Sequence, residues 1–287
     1  MDYITELFCI LDDFCKKFNE ELEKVLILTN EYKVKKTGLS QSEMMTIVIM
    51  FHQSGFRFFK YFYCHMLQMF WKSAFPKLPS YNRFVEIMPQ CLQALSCFFH
   101  QIKGQDTGMS IIDSTKLVVC HNLRINKHQV FKGLASRGKS STGWFYGFKL
   151  HFVINQLGEI INFKLTSGNI HDVTILEPLT EGLKGILLAD RGYISKAKAK
   201  FLASKGLKIL TTPRKNMKKP PQYTEQEKGL LSKRGLIETV NDQLKNIHQI
   251  EHSRHRSVNN FMVNLMAAIV AYCLKPNKPT FKNLLNA

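Results

Sequence analysis

Three acidic residues each follow an apolar run in a chain that has few acids: Asp113 in Ser110–Thr115 (SIIDST), Asp190 in Gly185–Tyr193 (GILLADRGY) and Glu238 in Arg234–Glu238 (RGLIE). An apolar strand that stops at an aspartate buries its hydrophobic part and leaves the carboxylate at the sheet edge. Several such oxygens can converge there on hard cations such as magnesium. This pattern reads as a metal-binding carboxylate triad, and with a basic surface it points to phosphodiester chemistry.

The charge balance agrees with that direction. The 287 residues carry 40 Lys+Arg against 22 Asp+Glu, for a formal net charge of +18, which favours a polyanionic partner. Residues 1–109 hold 12 Lys+Arg and 11 Asp+Glu, whereas residues 110–287 hold 28 and 11, so nearly all the excess lies on the half with the triad. Within it, Arg124, Lys127, Lys132, Arg137, Lys139 and Lys149 interleave with Trp144 and other aromatics. That composition suits gripping a phosphate backbone and stacking on bases. A merely solubilising basic face is the plain alternative.

The elements that must position these residues fall into two parts. Residues 1–105 have long side chains at helical spacing and almost no glycine, which predicts an all-helical N-terminal domain. Ser40 and Glu43 form a capping box that opens a helical segment over 44–64 rich in aromatics, read as core packing. Pro76 and Pro79 break it, and Ser80 caps a next helix beginning Tyr81, Asn82 and Arg83. Those three residues are open to DNA contact of the helix-turn-helix kind, or to packing or dimerisation.

Residues 106–287 change to short apolar runs between glycines, predicting a mixed α/β domain. The expected strands are 109–113, 147–155, 159–166, 186–190 and 207–212, with the second and third joined through Gln156–Gly158 as a hairpin. A helix over 194–205 is closed by Gly206. In a later helix Arg234, Glu238, Asn241 and Lys245 recur at four, three and four residues and share one face. The apolar run 261–274 is too short to span a bilayer and reads as a buried helix. His171 and Asp172 begin a helix that Asn169 can cap.

Other chemistries fit less well. Ser114 and Thr115 stand beside Asp113 without a Ser-His-Asp order, so support of the acid is their better role. His248, His252 and His255 have spacings that could hold zinc, although a basic helical face fits them better. The seven cysteines include no C-x-x-C pair, which argues against a disulfide framework or zinc knuckle and for reduced thiols in a cytoplasmic protein. Acids near the N-terminus interrupt any signal-peptide core.

Two aspartates on separate strands and a glutamate on a late helix make the arrangement of the RNase H-like fold, and the chain resembles the DDE transposases of bacterial insertion sequences. The resemblance rests on residues 111–115, on 167–172 (SGNIHD), on 188–193 (LADRGY), and on Arg234, Glu238 and Lys245, which match an arginine, glutamate and lysine signature. Residues 80–84 (SYNRF), 122–133 and 143–149 (GWFYGFK) look most like insertion-sequence family nine-eight-two.

The resemblance implies an RNase H-like mixed sheet flanked by helices after a helical N-terminal domain. It implies a transposase that cleaves its element's ends and joins them to target DNA, with two magnesium ions, replaceable by manganese, held by Asp113, Asp190 and Glu238. Asp113 would bridge both ions, and Arg234, Lys245, Asn241 and Arg191 would lie close to the DNA or the acids. It also implies double-stranded terminal repeats and target DNA as partners, a homodimer on DNA, and a bacterial, nucleoid-associated location away from membranes. Leu231 stands where the related signature often has a tyrosine associated with flipped or hairpin DNA ends, so no hairpin intermediate is implied. An RNase H-like nuclease or junction resolvase without strand transfer, and a non-catalytic DNA-binding remnant, are the alternative readings.

Overall fold

In the computed structural model, residues 3–29, 38–213, 217, 220–251 and 255–281 are described. The chain divides into two compact units, one made of Met1–Ile102, Asn246–Ile250 and His255–Leu274, the other of Lys103–Lys245, Glu251–Arg254 and Lys275–Ala287.

The first unit contains α1 (Tyr3–Thr29), α2 (Gln41–Gln53), α3 (Phe59–Tyr61), a π-helical stretch Phe62–Leu67, α4 (Gln68–Phe70), α5 (Tyr81–Ile87), a 3₁₀ turn Met88–Cys91 and α6 (Leu92–Ile102). The Ser40 hydroxyl accepts the Glu43 N–H and the Glu43 carboxylate accepts the Ser40 N–H, so the capping box starts α2 as the sequence predicts. The helical segment expected over 44–64 is broken after Gln53, where Gly55 takes φ +73 in the left-handed region that favours glycine. Its aromatics divide accordingly. Phe62 and Tyr63 are fully buried, whereas Phe58 and Tyr61 are exposed.

The second unit is built on a six-stranded sheet: β1 (Met109–Cys120), β2 (Ser136–Ser140), β3 (Gly143–Asn155), β4 (Ile160–Ser167), β5 (Gly185–Ala189) and β6 (Leu207–Thr211). A 3₁₀ turn Asn122–Lys127 follows β1, and the helices are α7 (Asp172–Leu179), α8 (Lys196–Ser204), α9 (Glu225–Ser232) and α10 (Leu236–Asp242). The strand order is β2-β3-β1-β5-β6, and β4 pairs with the part of β3 that β2 leaves open. The β1–β3 and β3–β4 pairs are antiparallel, while β1–β5 and β5–β6 are parallel.

This is the RNase H-like mixed sheet with flanking helices. Its central parallel strand β5 is a near-continuous apolar run in which successive Leu187, Leu188 and Ala189 are all buried, as a strand covered on both faces requires. On one face Ile112, Val153, Leu187 and Ala189 pack with Ile175, Leu176 and Leu179 of α7 and Leu202 of α8.

Three strands differ from expectation, and one of them is β3, which begins at Gly143 rather than Gly147. β1 runs on to Cys120 instead of stopping at Asp113, with Thr115, Leu117 and Val119 buried at alternate positions. β2, with the sequence SRGKS, carries no apolar alternation and is absent from the sequence reading.

The last helix, α11 (Val258–Cys273), belongs to the first unit. Leu265 through Tyr272 are all buried, as an all-round apolar helix demands. Among the described residues no helix is long and apolar enough to cross a membrane.

Candidate active site

Register brings the two aspartates together. In the parallel β1–β5 pair, Ile111 faces Leu188 and Ile112 faces Ala189. Side chains alternate along a strand, so Asp113 shares a face with Ile111 and Asp190 one with Leu188. Both acids therefore leave neighbouring strands at the same level and on the same face. Asp113 lies mid-strand in β1, level with the point where β5 ends at Ala189.

The Asp113 carboxylate accepts the Ser114 N–H at 2.8 Å. Burial pushes its pKa up to about 6; the Ser114 N–H and the Arg234 guanidinium counter that, and Asp190 and Asp172 add to it. Asp190 is exposed and begins a 3₁₀ turn, Arg191–Tyr193, without a side-chain capping bond.

Glu238 is on α10, whose apolar side of Leu236, Ile237, Val240 and, in the following π-helical turn, Leu244 is buried. Its own side chain is 62% exposed and accepts a 2.8 Å bond from Arg234, which is only 21% exposed. Arg234 thus bonds one acid and acts electrostatically on another.

The stripe predicted for this helix is not continuous. A 3₁₀ turn Lys233–Gly235 precedes α10 and a π-helical turn Gln243–Ile247 follows it. Lys245 pairs instead with Glu251 at 3.0 Å, and Glu251 also accepts the Val118 N–H, at the bulge in β1. Sequence reasoning missed Glu251, which follows no apolar strand. Asn241 keeps its side-chain oxygen buried without a hydrogen-bond partner among the described residues.

On the opposite face of β1 a second acid gathers polar groups. Asp172, at the start of α7, accepts from the Ser114 hydroxyl at 3.0 Å and from Lys149 at 3.1 Å, and His151 Nδ1 lies 3.7 Å away. Lys149 is 15% exposed and also donates to the Ile170 carbonyl, so it is turned inward. Burial pushes the His151 pKa below its ordinary value, partly offset by Asp172. Tyr193 is buried beside the same acids, and burial raises its phenol well above the usual range. Thr115 is buried. Asn169 does not cap α7: it accepts the Ser167 hydroxyl at 2.7 Å, and His171 occupies the cap position without a side-chain bond.

The basic residues distribute around the sheet. Arg124 and Lys127 sit in the 3₁₀ turn after β1, Lys132 in the following turn, and Arg137 and Lys139 on β2 beside Trp144 of β3. In the first unit, Arg83 pairs with Glu86, and Tyr81 packs between Phe59, Tyr63 and Lys60. His248 is buried in a reciprocal pair with His52, each ring Nδ1 lying within 3.0 Å of the other's backbone carbonyl. His252 lies outside the described residues.

Asp113 and Asp190 are hard oxygen donors on one face, and that fits a divalent cation. Glu238 is held by Arg234 instead. Among the described residues no group of three or more His, Cys, Asp or Glu side chains could hold a metal ion.

An RNase H-like sheet with one acid on β1, a second directly after β5 and a third on a following helix is the architecture of DDE-type polynucleotidyl transferases. The chain belongs to the transposase DDE domain family, whose model matches residues 103–258, and so to the DNA transposases. The fold is also similar to that of piggyBac transposase in a cryo-EM structure of its synaptic complex with hairpin DNA. The TM-score is 0.54 at 13% identity, over 88% of this chain and 70% of that one. No curated protein matches the chain.

Proposed function

We propose that this transposase cleaves the ends of an insertion sequence and joins them to target DNA, with Asp113, Asp190 and Glu238 as its catalytic acids. The observation that carries the reading is the shared level and face of Asp113 and Asp190 on paired strands. Asp113 and Asp190 would hold magnesium, with manganese as a substitute, and Glu238 would join them on releasing Arg234. Bound there, two magnesium ions stabilise charge on the attacking and leaving oxygens of a phosphodiester.

Arg234 keeps the acids neutralised until then and afterwards meets phosphate, as do Arg191 and Lys245. Asp172 with Ser114 holds the strand from behind, and Thr115, Asn169, His171 and Asn241 support the same region. Arg124, Lys127, Lys132, Arg137 and Lys139 grip the phosphates of the double-stranded terminal repeats, and Trp144 contacts the DNA beside them. Two ends must be cut and joined together, which favours a homodimer on DNA. The N-terminal helices, with Tyr81, Asn82 and Arg83, serve end binding or dimerisation. The motifs around residues 80–84 and 122–149 favour insertion-sequence family nine-eight-two, and with it a bacterial, nucleoid-associated protein.

The test uses purified protein, magnesium and DNA bearing the inverted repeats that flank its reading frame. Cleavage followed by joining supports the proposal. Cleavage without joining would instead make it an RNase H-like nuclease. An Asp113→Asn variant should bind and not cut; strand transfer by that variant would overturn the assignment of the acids.

A further inference from the structure

Trp144 is 62% exposed although indole is one of the side chains with most to gain from burial. It stands directly opposite Lys139 in the β2–β3 register, and the lysine ammonium lies 5.8 Å from its ring centroid. A cavity of about 310 Å³ opens beside it, lined by Asn122, Arg137 and Trp144. That volume is at the small end of the roughly 300–1,000 Å³ of sites for small organic groups. The Asn122 amide donates to the Trp144 carbonyl at 2.9 Å, which fixes this wall, and its side-chain oxygen has no hydrogen-bond partner among the described residues.

The charge around the cavity selects the occupant. Residues 114–158 contain seven Lys and Arg and no Asp or Glu. Of the seven, only Lys149 makes an ion pair among the described residues. The others, Arg137 and Lys139 included, are available to phosphate. A planar aromatic face with flanking cations matches a nucleobase and its backbone phosphate. A paired base inside a duplex hides both its faces in the stack and cannot present one to a side chain.

We propose that Asn122, Arg137 and Trp144 form a pocket for one unpaired nucleobase of the DNA, stacked on the indole with its phosphate on Arg137 or Lys139. This rests on the reading of the chain as a DNA-processing enzyme and adds to it a subsite separate from the acids.

The test uses the full chain and two 2-aminopurine duplexes, one with the fluorescent base paired and one with it in a single-stranded overhang. Stacking on Trp144 should quench the overhang probe and leave the paired probe unchanged. Trp144→Ala should lose the quenching and bind the overhang probe about tenfold more weakly, while Trp144→Phe keeps part of both. Lys139→Met should weaken both probes alike, as loss of a phosphate contact does. Because Trp144 is exposed, a Tm within a few degrees of wild type shows that the Ala variant is folded.

Equal quenching by wild type and Trp144→Ala would overturn the pocket. So would a Trp144→Ala variant whose only change is loss of self-association, which would make the indole a protein contact. Asp113→Asn should quench normally, so failure of the catalytic assignment and failure of the pocket give different results.

Discussion

Asp113 and Asp190 each lie one residue beyond a matched pair of the parallel ladder, Ile112 and Ala189. This relation ties the placement of the two acids to sheet register, because any slip of β5 along β1 by one residue would turn Asp190 to the other face. The acids are therefore only as well placed as the apolar strands behind them are well paired.

The buried position of Asp113 has a cost that pH reveals. Its folded pKa is about 6 against an ordinary 3.8. Between those values the folded protein keeps a proton that the unfolded chain has lost, so stability falls as pH rises through that window. Asp113→Asn should therefore be more stable than wild type by about 1–3 kcal/mol at pH 7.5 without divalent metal. The gain should shrink steadily toward pH 4.5. Urea unfolding at several pH values measures it, and a gain that does not depend on pH would contradict the assignment.

Arg234 links Glu238 to the buried acid, and the two ends of that link differ in energy. The Arg234–Glu238 pair is one helical turn, with Glu238 mostly exposed, so Glu238→Gln should cost no more than about 0.5 kcal/mol of stability. If Glu238 is catalytic, the same change should abolish cleavage while leaving DNA affinity within about threefold. An active Glu238→Gln enzyme would remove this residue from the site.

Much of this frame was legible in the sequence. β5 and β6 are short apolar runs bounded by glycine and polar turns, and the Ser40–Glu43 box marked the start of α2 because capping chemistry is local. What was hidden depended on partners distant in sequence. Asp113 looked like a strand end because the apolar run stops there, yet pairing with β3 carries β1 seven residues further, to Cys120. β2 was invisible because its hydrogen bonds to β3, not apolar side chains, define it. The Arg234–Lys245 stripe assumed an unbroken helix, and the π-helical turn sends Lys245 to Glu251. Asp172 was recognised near the site, but its three polar neighbours come from β1 and β3 and only the folded sheet assembles them.

Gly147 tests the closeness of β1 and β3. An added Cβ there would come within 2.0 Å of the Leu117 carbonyl oxygen, and that neighbour is backbone that cannot swing away. Gly147→Ala should therefore lower stability by about 1–3 kcal/mol or more. A thermal melt within one degree of wild type would show that the strands are not held this tightly.

Asp172 offers the sharpest separation of structure from chemistry. It neutralises Lys149 while accepting from Ser114, and the lysine is too enclosed to find water in its place. Removing one member of such a pair strands the other charge, whereas replacing both by apolar groups of similar size often costs little. Asp172→Asn alone should therefore destabilise by about 2–4 kcal/mol, and Asp172→Asn with Lys149→Met should recover most of that loss. Recovery of stability need not restore cleavage, because Ser114, the neighbour of Asp113, would still lack its charged acceptor. Urea unfolding gives the first quantity and DNA cleavage by the double variant the second. Full recovery of both would reduce Asp172 to a partner for Lys149, while stability recovered without cleavage would make it a positioning residue for Asp113.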